Sequence, residues 1–173
     1  MAGTLYLIAT PIGNLEDMTY RAVRLLGEVD LIAAEDTRNS IKLLNHFDIK
    51  TPMTSYHEHN KYEKAQVLVG KLLEGMNIAV ITDAGTPGIS DPGEDLVRIC
   101  YEEGIEVTSL PGAAACITAL TMSGLPTRRF AFEAFLPREK KERAAILQEL
   151  KDETRTIIIY EAPHHLIRTL EEL

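Results

Sequence analysis

Four turns rich in glycine and proline each follow an apolar run that is typical of a β-strand. They are Thr10–Asn14, Asp83–Pro87, Pro111–Ala115 and Ala162-Pro163. Glycine lets a ligand approach the backbone closely, and proline fixes the direction in which the chain enters the turn. Taken singly, each turn is more often an ordinary connection from strand to helix. Together, at the carboxyl edge of one parallel sheet, they predict a small-molecule pocket.

The usual signatures of nucleotide-phosphate binding are absent, because the chain contains neither GxGxxG nor GxxxxGK[ST]. Asp83 is poorly suited to touch a phosphate, since both groups are anionic. Its carboxylate could instead accept hydrogen bonds from ribose hydroxyls or from an ammonium group. These residues alone do not identify the ligand.

A second polar group, Glu35-Asp36-Thr37-Arg38, follows the apolar run Leu31–Ala34. It places two carboxylates and a guanidinium at a strand exit, where Glu35 could accept a proton and Arg38 could hold a phosphate or polarise a hydroxyl. The alternative is a helix start at which Asp36 or Thr37 caps the backbone. The two interpretations are compatible.

The segment His57-Glu58-His59-Asn60 could suggest a metal, because alternate residues of a strand point to the same side. Two histidines do not complete a zinc site, so no metal is predicted. A substrate contact by His57 is the favoured interpretation, with a solvated loop as the alternative.

The formal charge of −8 disfavours broad electrostatic attraction to nucleic acid, so an RNA substrate would need local basic contacts. The basic candidates are Arg128-Arg129 and the run Arg138–Arg143. The second run also contains glutamates, which suit the exposed face of a helix. Arg128-Arg129 is therefore the better candidate.

These side chains must be positioned by alternating strands and helices. Short apolar runs predict seven strands, and apolar stripes at helical spacing lie between them, as in Ala22–Val29 and Ala65–Leu73. The pattern predicts an α/β fold whose parallel strands are covered on both faces. The predicted strands are Leu5–Ala9, Leu31–Ala34, Met53–Ser55, Ile78–Thr82, Val107–Leu110, Phe130–Phe135 and Thr156–Glu161.

The composition is that of an ordinary globular protein, with 45% apolar and 25% charged residues among 173. No apolar run approaches the ~20 residues needed to span a bilayer, and the start of the chain lacks a secretory pattern. Cys100 and Cys116 are expected to be reduced and buried. We therefore expect a cytoplasmic protein without membrane contact. Its domains are predicted at 1–115 and 116–173, the second being incomplete.

Several segments resemble the tetrapyrrole methylase superfamily, and in particular its members that methylate ribosomal RNA. They are Leu5–Leu15, Glu35–Arg38, Ser55–Asn60, Thr82–Pro92, Leu110–Ala113, Ser123–Pro126 and Phe135–Pro137. The resemblance covers essentially the whole chain. It implies two α/β domains with the cofactor S-adenosylmethionine in the cleft between them, and a homodimer. The implied reaction is methylation of a cytidine ribose 2′-hydroxyl in the 16S rRNA of the small ribosomal subunit.

The resemblance also implies which residues touch the cofactor, with Tyr160 the weaker addition. The implied contacts are Pro11, Asp83, Gly85, Thr86, Pro87, Gly112, Ala113, Ala114, Ala115 and Tyr160. For catalysis, Glu35 and His57 remain alternative proton acceptors, and Arg38 is the candidate for holding a phosphate or polarising the hydroxyl.

Two departures from the family pattern stand out. Ala114 occupies a position where the family usually has serine, which removes a hydroxyl donor but keeps the backbone donors. His165 occupies the place of an arginine, which weakens a phosphate role there. Two alternatives stay open, a tetrapyrrole methyltransferase and a noncatalytic RNA-binding module that responds to S-adenosylmethionine.

Overall fold

The computed structural model describes residues 1–173, which form two compact units, Met1–Ala114 and Ala115–Leu173. The first unit alternates strands and helices throughout. Its elements are β1 (Thr4–Leu7), α1 (Tyr20–Glu28), β2 (Leu31–Ala34), α2 (Thr37–His46), β3 (Met53–Ser55), α3 (Lys61–Leu73), β4 (Ile78–Ile81), α4 (Glu94–Glu102) and β5 (Glu106–Ser109).

The five strands of the first unit form one sheet in the order β3-β2-β4-β1-β5. Every neighbouring pair is parallel; Leu5, for example, lies opposite Ile78 on one side and Val107 on the other. From β1 the chain adds β2 and β3 toward one edge of the sheet, and after β4 it crosses to the other side of β1 to add β5. The direction of the connections therefore reverses next to β1. Open parallel sheets bind their ligands at the carboxyl ends of strands near such a reversal.

Each face of this sheet is covered by helices, and alternate strand residues serve opposite faces. On one face, Ile78 and Val80 pack with α3 and α4, including the fully buried Leu68 and Leu96. On the other face, Ala79 and Ile81 pack in the cluster that contains Leu26 of α1 and Leu44 of α2. All four residues of β4 are therefore buried, as expected for a central parallel strand.

The second unit contains a two-stranded parallel sheet and three helices. Its elements are α5 (Ala115–Met122), β6 (Phe130–Phe135), α6 (Lys140–Leu150), β7 (Thr156–Tyr160) and α7 (Leu166–Glu172). The register of β6 on β7 shifts between Phe132 and Phe135, where Ala134 has a φ of +52°. The shift is a β-bulge, which bends the end of β6.

The predicted α/β class with parallel strands is confirmed, and three of the seven predicted strands have the predicted bounds. His57 and His59 lie beyond the end of β3, in an irregular segment and a turn, so the strand alternation that could have suggested a metal does not apply to them. One detail of the sequence interpretation is wrong. Ala162-Pro163 follows β7 of the second sheet, so only three of the four turns share one sheet edge.

No helix in residues 1–173 combines the length and the apolar character that crossing a membrane requires.

Candidate functional site

The candidate site of the first unit lies where its five parallel strands end. Because all five run in one direction, the segments that follow them meet at one edge of the sheet. The turns after β1, β4 and β5 carry most of the residues to which the sequence assigns a cofactor. The segments after β2 and β3 carry Glu35, Arg38 and His57.

The turns after β1 and β4 are joined by two reciprocal backbone hydrogen bonds. Thr10 N–H donates to the Gly85 carbonyl at 2.9 Å, and Gly85 N–H donates to the Thr10 carbonyl at 3.0 Å. The Thr10 hydroxyl also donates to the Thr82 carbonyl at 3.0 Å. Thr10 and Thr82 are each only 2% exposed, so water cannot replace these bonds without opening the site. Pro11 and Asp83 are held close as a result.

The turn after β5 is fastened to the other two. The Thr86 hydroxyl donates to the Ala113 carbonyl at 2.9 Å. A Cβ atom added to Gly112 would lie 2.6 Å from Ala9 Cβ, so only glycine allows this close approach. Gly85 has a φ of +90°, and a Cβ there would lie 3.4 Å from Ile12 Cγ2. The structure thus brings Pro11, Gly85, Thr86, Gly112 and Ala113 together.

Asp83 extends from this junction as an exposed side chain. Its Oδ2 accepts a hydrogen bond from Asn39 Nδ2 of α2 at 3.0 Å. Its backbone N–H donates to Glu35 Oε2 at 3.1 Å. These contacts orient the carboxylate and leave its Oδ1 able to accept from a ligand. Asn39 is a site residue that the sequence interpretation missed.

Asp36 begins α2 as its capping residue. Its Oδ1 accepts from Arg38 N–H at 2.8 Å, and the carboxylate also accepts from Arg38 Nε at 3.1 Å and Nη2 at 2.7 Å. The hydrogen bonds from Arg38 lower the pKa of Asp36 to about 2. The same partner raises the pKa of Arg38. The capping interpretation is therefore confirmed for Asp36, and Arg38 is held in one place while its side chain remains 87% exposed.

Asp91 is a second residue that the sequence interpretation did not single out. Burial raises its pKa to about 6, and the negative charges of Glu35 and Asp83 act in the same direction. Asp91 lies within the tight turn whose ends, Gly88 and Gly93, approach so closely that a Cβ on Gly93 would lie 3.0 Å from Gly88 N. Glycines at this spacing on both sides of an acidic residue were the available sequence signal.

His57 lies at the exit of β3, where its backbone N–H donates to Asn60 Oδ1 at 2.8 Å. Its Nδ1 is buried and has no hydrogen-bond partner. The rings of His57 and His59 are 6.0 Å apart between centroids. Nowhere in residues 1–173 are three or more His, Cys, Asp or Glu side chains grouped to hold a metal ion. The buried Nδ1 of His57 therefore contacts neither a protein partner nor a metal site.

The second unit holds Ala115 and Tyr160. The Tyr160 hydroxyl accepts a hydrogen bond from Cys116 N–H at 3.0 Å, directly after Ala115 at the start of α5. Phe132 and Phe135 lie edge-on to the Tyr160 ring at centroid distances of 4.9 and 5.6 Å. Tyr160 thus fixes the amino terminus of α5 relative to β7. Ala114 is the last residue of the first unit.

A family model described as Tetrapyrrole (Corrin/Porphyrin) Methylases matches residues 4–173. The chain belongs to this family. The family resemblance read from the sequence is thereby confirmed.

This tetrapyrrole methylase is similar to proteins named ribosomal RNA small subunit methyltransferase I. It is 60% identical to the one from Synechocystis sp. over 171 residues, which cover 99% of this chain and 61% of the relative. It is 55% identical to the one from Haemophilus influenzae over 173 residues, which cover all of this chain and 61% of the relative. The chain therefore spans about three fifths of the length of these curated relatives.

Solved structures share the fold of this tetrapyrrole methylase at low sequence identity. Diphthine synthase matches with a TM-score of 0.74 and 13% identity, over 98% of this chain and 72% of that one. Uroporphyrin-III C-methyl transferase from Thermus thermophilus, complexed with S-adenosyl homocysteine, matches with a TM-score of 0.64 and 20% identity, over 98% and 75%. At these identities the likeness concerns the fold alone.

Replacing Asp91 with asparagine is expected to stabilise this tetrapyrrole methylase at neutral pH. A carboxyl whose pKa is raised by folding favours the folded state only when protonated, and this contribution is lost as the pH rises through about 6. The melting temperature of Asp91→Asn should therefore exceed that of the wild type near pH ~8, and the gap should close near pH ~4. Thermal unfolding at both pH values measures this difference, with Asp17→Asn as the control, because Asp17 is exposed at the end of a short 3-10 helix. A gap independent of pH would contradict the assignment.

Proposed function

We propose that this tetrapyrrole methylase transfers a methyl group from S-adenosylmethionine to the ribose 2′-hydroxyl of a cytidine in the 16S rRNA of the small ribosomal subunit. The observation that carries the proposal is the 60% identity over 99% of the chain to a protein named ribosomal RNA small subunit methyltransferase I. The site geometry is compatible with it. As an enzyme of this kind, the protein would act in the cytoplasm and as a homodimer.

The strand-exit turns fit the cofactor because they combine close backbone approach with free donors. Within the first unit, the backbone N–H groups of Ala84, Thr86 and Ala113 donate to no other group. Such donors suit the carboxylate and the adenine nitrogens of the cofactor, while Asp83 Oδ1 suits its ammonium group or its ribose hydroxyls. Gly85 and Gly112 keep side chains out of this surface. We assign the cofactor contacts to Pro11, Asp83, Gly85, Thr86, Pro87, Gly112, Ala113, Ala114, Ala115 and Tyr160.

The cofactor, when bound, supplies a methyl group that is already activated by a sulfonium. The protein's own contribution is therefore mostly alignment, which is worth effective molarities of about 10⁵–10⁸ M in well-oriented reactions. A ribose hydroxyl is a poor nucleophile until its proton is accepted. The hydrogen bond from Asp83 N–H orients Oε2 of Glu35 and leaves Oε1 able to accept, which supports this role for Glu35.

His57 is the alternative proton acceptor, and it would act through Nε2, because its Nδ1 is buried. Arg38 is proposed to contact a phosphate of the RNA. Its Nε and Nη2 are engaged with Asp36, so this contact would use Nη1. The pairing with Asp36 lowers the entropy that the arginine loses when it binds.

A second candidate reaction is methylation of a tetrapyrrole, which the description of the matching family model, Tetrapyrrole (Corrin/Porphyrin) Methylases, supports. The same strand-exit turns would serve either substrate. The substrate therefore has to be decided by assay.

We expect labelled methyl from S-adenosylmethionine to enter the 16S rRNA of small subunits that lack the modification, and to map to one cytidine ribose. The chain should leave a tetrapyrrole precursor unlabelled in a parallel reaction. The Haemophilus influenzae relative, at 55% identity, provides a full-length comparison on the same subunits. Label in the tetrapyrrole alone would contradict the proposal.

Replacing Asp83 with alanine should weaken the binding of S-adenosylmethionine by about ten- to hundredfold, because a hydrogen bond to a charged group is lost. Asp48→Ala is a matched control, since Asp48 is an exposed aspartate that follows α2 and pairs only with Lys50. Equilibrium dialysis with labelled cofactor measures both variants. Equal affinities for the wild type and Asp83→Ala would remove Asp83 from the cofactor site.

A further inference from the structure

A groove in the first unit lies between one face of α2 and the turn after β1. Its volume is about 310 Å³. Asn39, Lys42, Leu43 and His46 line it from the helix. Pro11 and Leu15 line it from the turn, and Asp83 closes the end nearest the sheet. We call this feature the α2 groove.

The helical repeat explains why these side chains share one surface. Positions 39, 42, 43 and 46 are separated by three and four residues, which places them on one face of α2. The buried residues Ser40 and Leu44 lie on the opposite face, against the core. At about 1.5 Å of rise per residue, the groove follows α2 for about 10 Å, from Asn39 to His46. It is long enough to present different chemistry at its two ends.

The end near the sheet is built to accept hydrogen bonds. Asn39 Nδ2 donates to Asp83 Oδ2 at 3.0 Å, which fixes the carboxylate. An ionised carboxylate has about four lone-pair sites, so Asp83 can accept from a base in addition to the cofactor. Amino groups on base edges, including N4 of cytosine, are donors that a carboxylate reads. Phosphates and other carboxylates would be repelled at this end.

The far end of the groove is cationic. Lys42 is exposed and forms no ion pair within the first unit, unlike Lys50 and Lys61, which pair with Asp48 and Glu58. His46 lies one helical turn further along, with its ring 4.8 Å from that of Phe47. In a chain of net charge −8, an unpaired lysine beside a histidine is a local site for an anion.

Between the two ends, the walls are apolar. Leu15 is 43% exposed, although leucine favours burial, and Leu43 faces it from the helix. An apolar slot between an acceptor and a cation suits a nucleotide. The flat face of the base would lie in the slot, the polar edge of the base would meet the acceptor, and the phosphate on the sugar would meet the cation.

We propose that the α2 groove binds one nucleotide of single-stranded RNA, with its phosphate at Lys42 and His46, its base between Leu15 and Leu43, and a base amino group at Asp83. This inference rests on the proposed function, because it names where the RNA meets the site. A volume of about 310 Å³ is small for a macrocycle, and Asp83 would repel its carboxylates. Because Asp83 also borders the strand-exit turns, a nucleotide in the groove lies next to the proposed cofactor contacts.

The test is binding of a short, cytidine-containing, single-stranded oligoribonucleotide to the 173-residue chain, measured by fluorescence anisotropy at several salt concentrations. Lys42→Gln should weaken binding by about tenfold and lower the salt slope by about 0.7, the value for one phosphate contact on a single strand. Lys42→Arg should retain most of the affinity, because the charge is kept. The affinity for S-adenosyl homocysteine should change less than about twofold in both variants.

Lys71→Gln is the matched control. Lys71 lies on α3, which covers the opposite face of the sheet, so the variant loses the same charge far from the groove. Its affinity and salt slope should equal those of the wild type. This comparison separates a local contact at Lys42 from a general effect of net charge.

Four results would overturn the inference: no measurable binding by the wild type, equal losses in Lys42→Gln and Lys71→Gln, a loss of cofactor affinity in Lys42→Gln, or displacement of the oligonucleotide by uroporphyrin. The proposed function can fail independently. If Lys42→Gln loses RNA affinity as expected but the wild type transfers no methyl group, the RNA contact in the α2 groove is supported and the proposed methyl transfer is contradicted. If methyl enters the RNA but Lys42→Gln does not change RNA affinity, the proposed methyl transfer is supported and the RNA contact in the α2 groove is contradicted.

Discussion

The reciprocal hydrogen bonds between Thr10 and Gly85 hold the site of the first unit together. A parallel sheet aligns its strands but leaves the turns beyond them free to diverge. Here the turns after β1 and β4 are joined by a pair of backbone bonds at 2.9 and 3.0 Å, next to a threonine hydroxyl that is bonded to Thr82. Because Thr10 and Thr82 are buried, breaking these bonds would leave polar groups without partners, at a cost of about 1–3 kcal/mol each. The positions of Pro11, Asp83 and Thr86 all follow from this junction.

The charges around the junction are arranged unevenly. Carboxylates of Glu35, Asp83 and Asp91 are close enough that the first two help burial to raise the pKa of the third to about 6. Two exposed cations, Arg38 and Lys42, lie on α2, and Lys42 lines the same groove as Asp83. In an acidic chain, the phosphates of a nucleic acid would have to meet local cations of this kind. The acidic centre then remains available for hydroxyl, amino and ammonium groups.

Much of this could be predicted from the sequence, because the determining signals are local. The run Ile78–Ile81 is apolar at every position, which is typical of a strand covered on both faces, and the strand found there ends one residue before the predicted bound at Thr82. Asp36 was one of two possible caps for α2, and its hydrogen bond to Arg38 N–H confirms it. The family resemblance could also be recognised from the sequence, since the segments that carry it extend along the whole chain. The structure does not test the individual cofactor contacts or the residues assigned to catalysis, which remain proposals.

Other features depend on contacts between distant residues and had no local signal. Asn39 looks like any polar residue of an exposed helix until Asp83, 44 positions later, is placed beside it. The raised pKa of Asp91 requires Glu35 and Asp83 to be near in space. The end of β3 at Ser55 was predicted, but the turn beyond it, in which the N–H of His57 donates to the Asn60 side chain, had no signal in the sequence. The assignment of Ala162-Pro163 to the same edge failed because the sequence does not specify that β7 pairs with β6.

The joined turns after β1, β4 and β5 are proposed to hold the cofactor. The decisive measurement is a crystal structure of the chain with S-adenosyl homocysteine. We expect the ligand to contact the backbone of Gly85–Pro87 and of Gly112-Ala113, with Asp83 accepting one of its hydrogen bonds. A ligand bound elsewhere, for example along α2 between Leu15 and His46, would contradict the account.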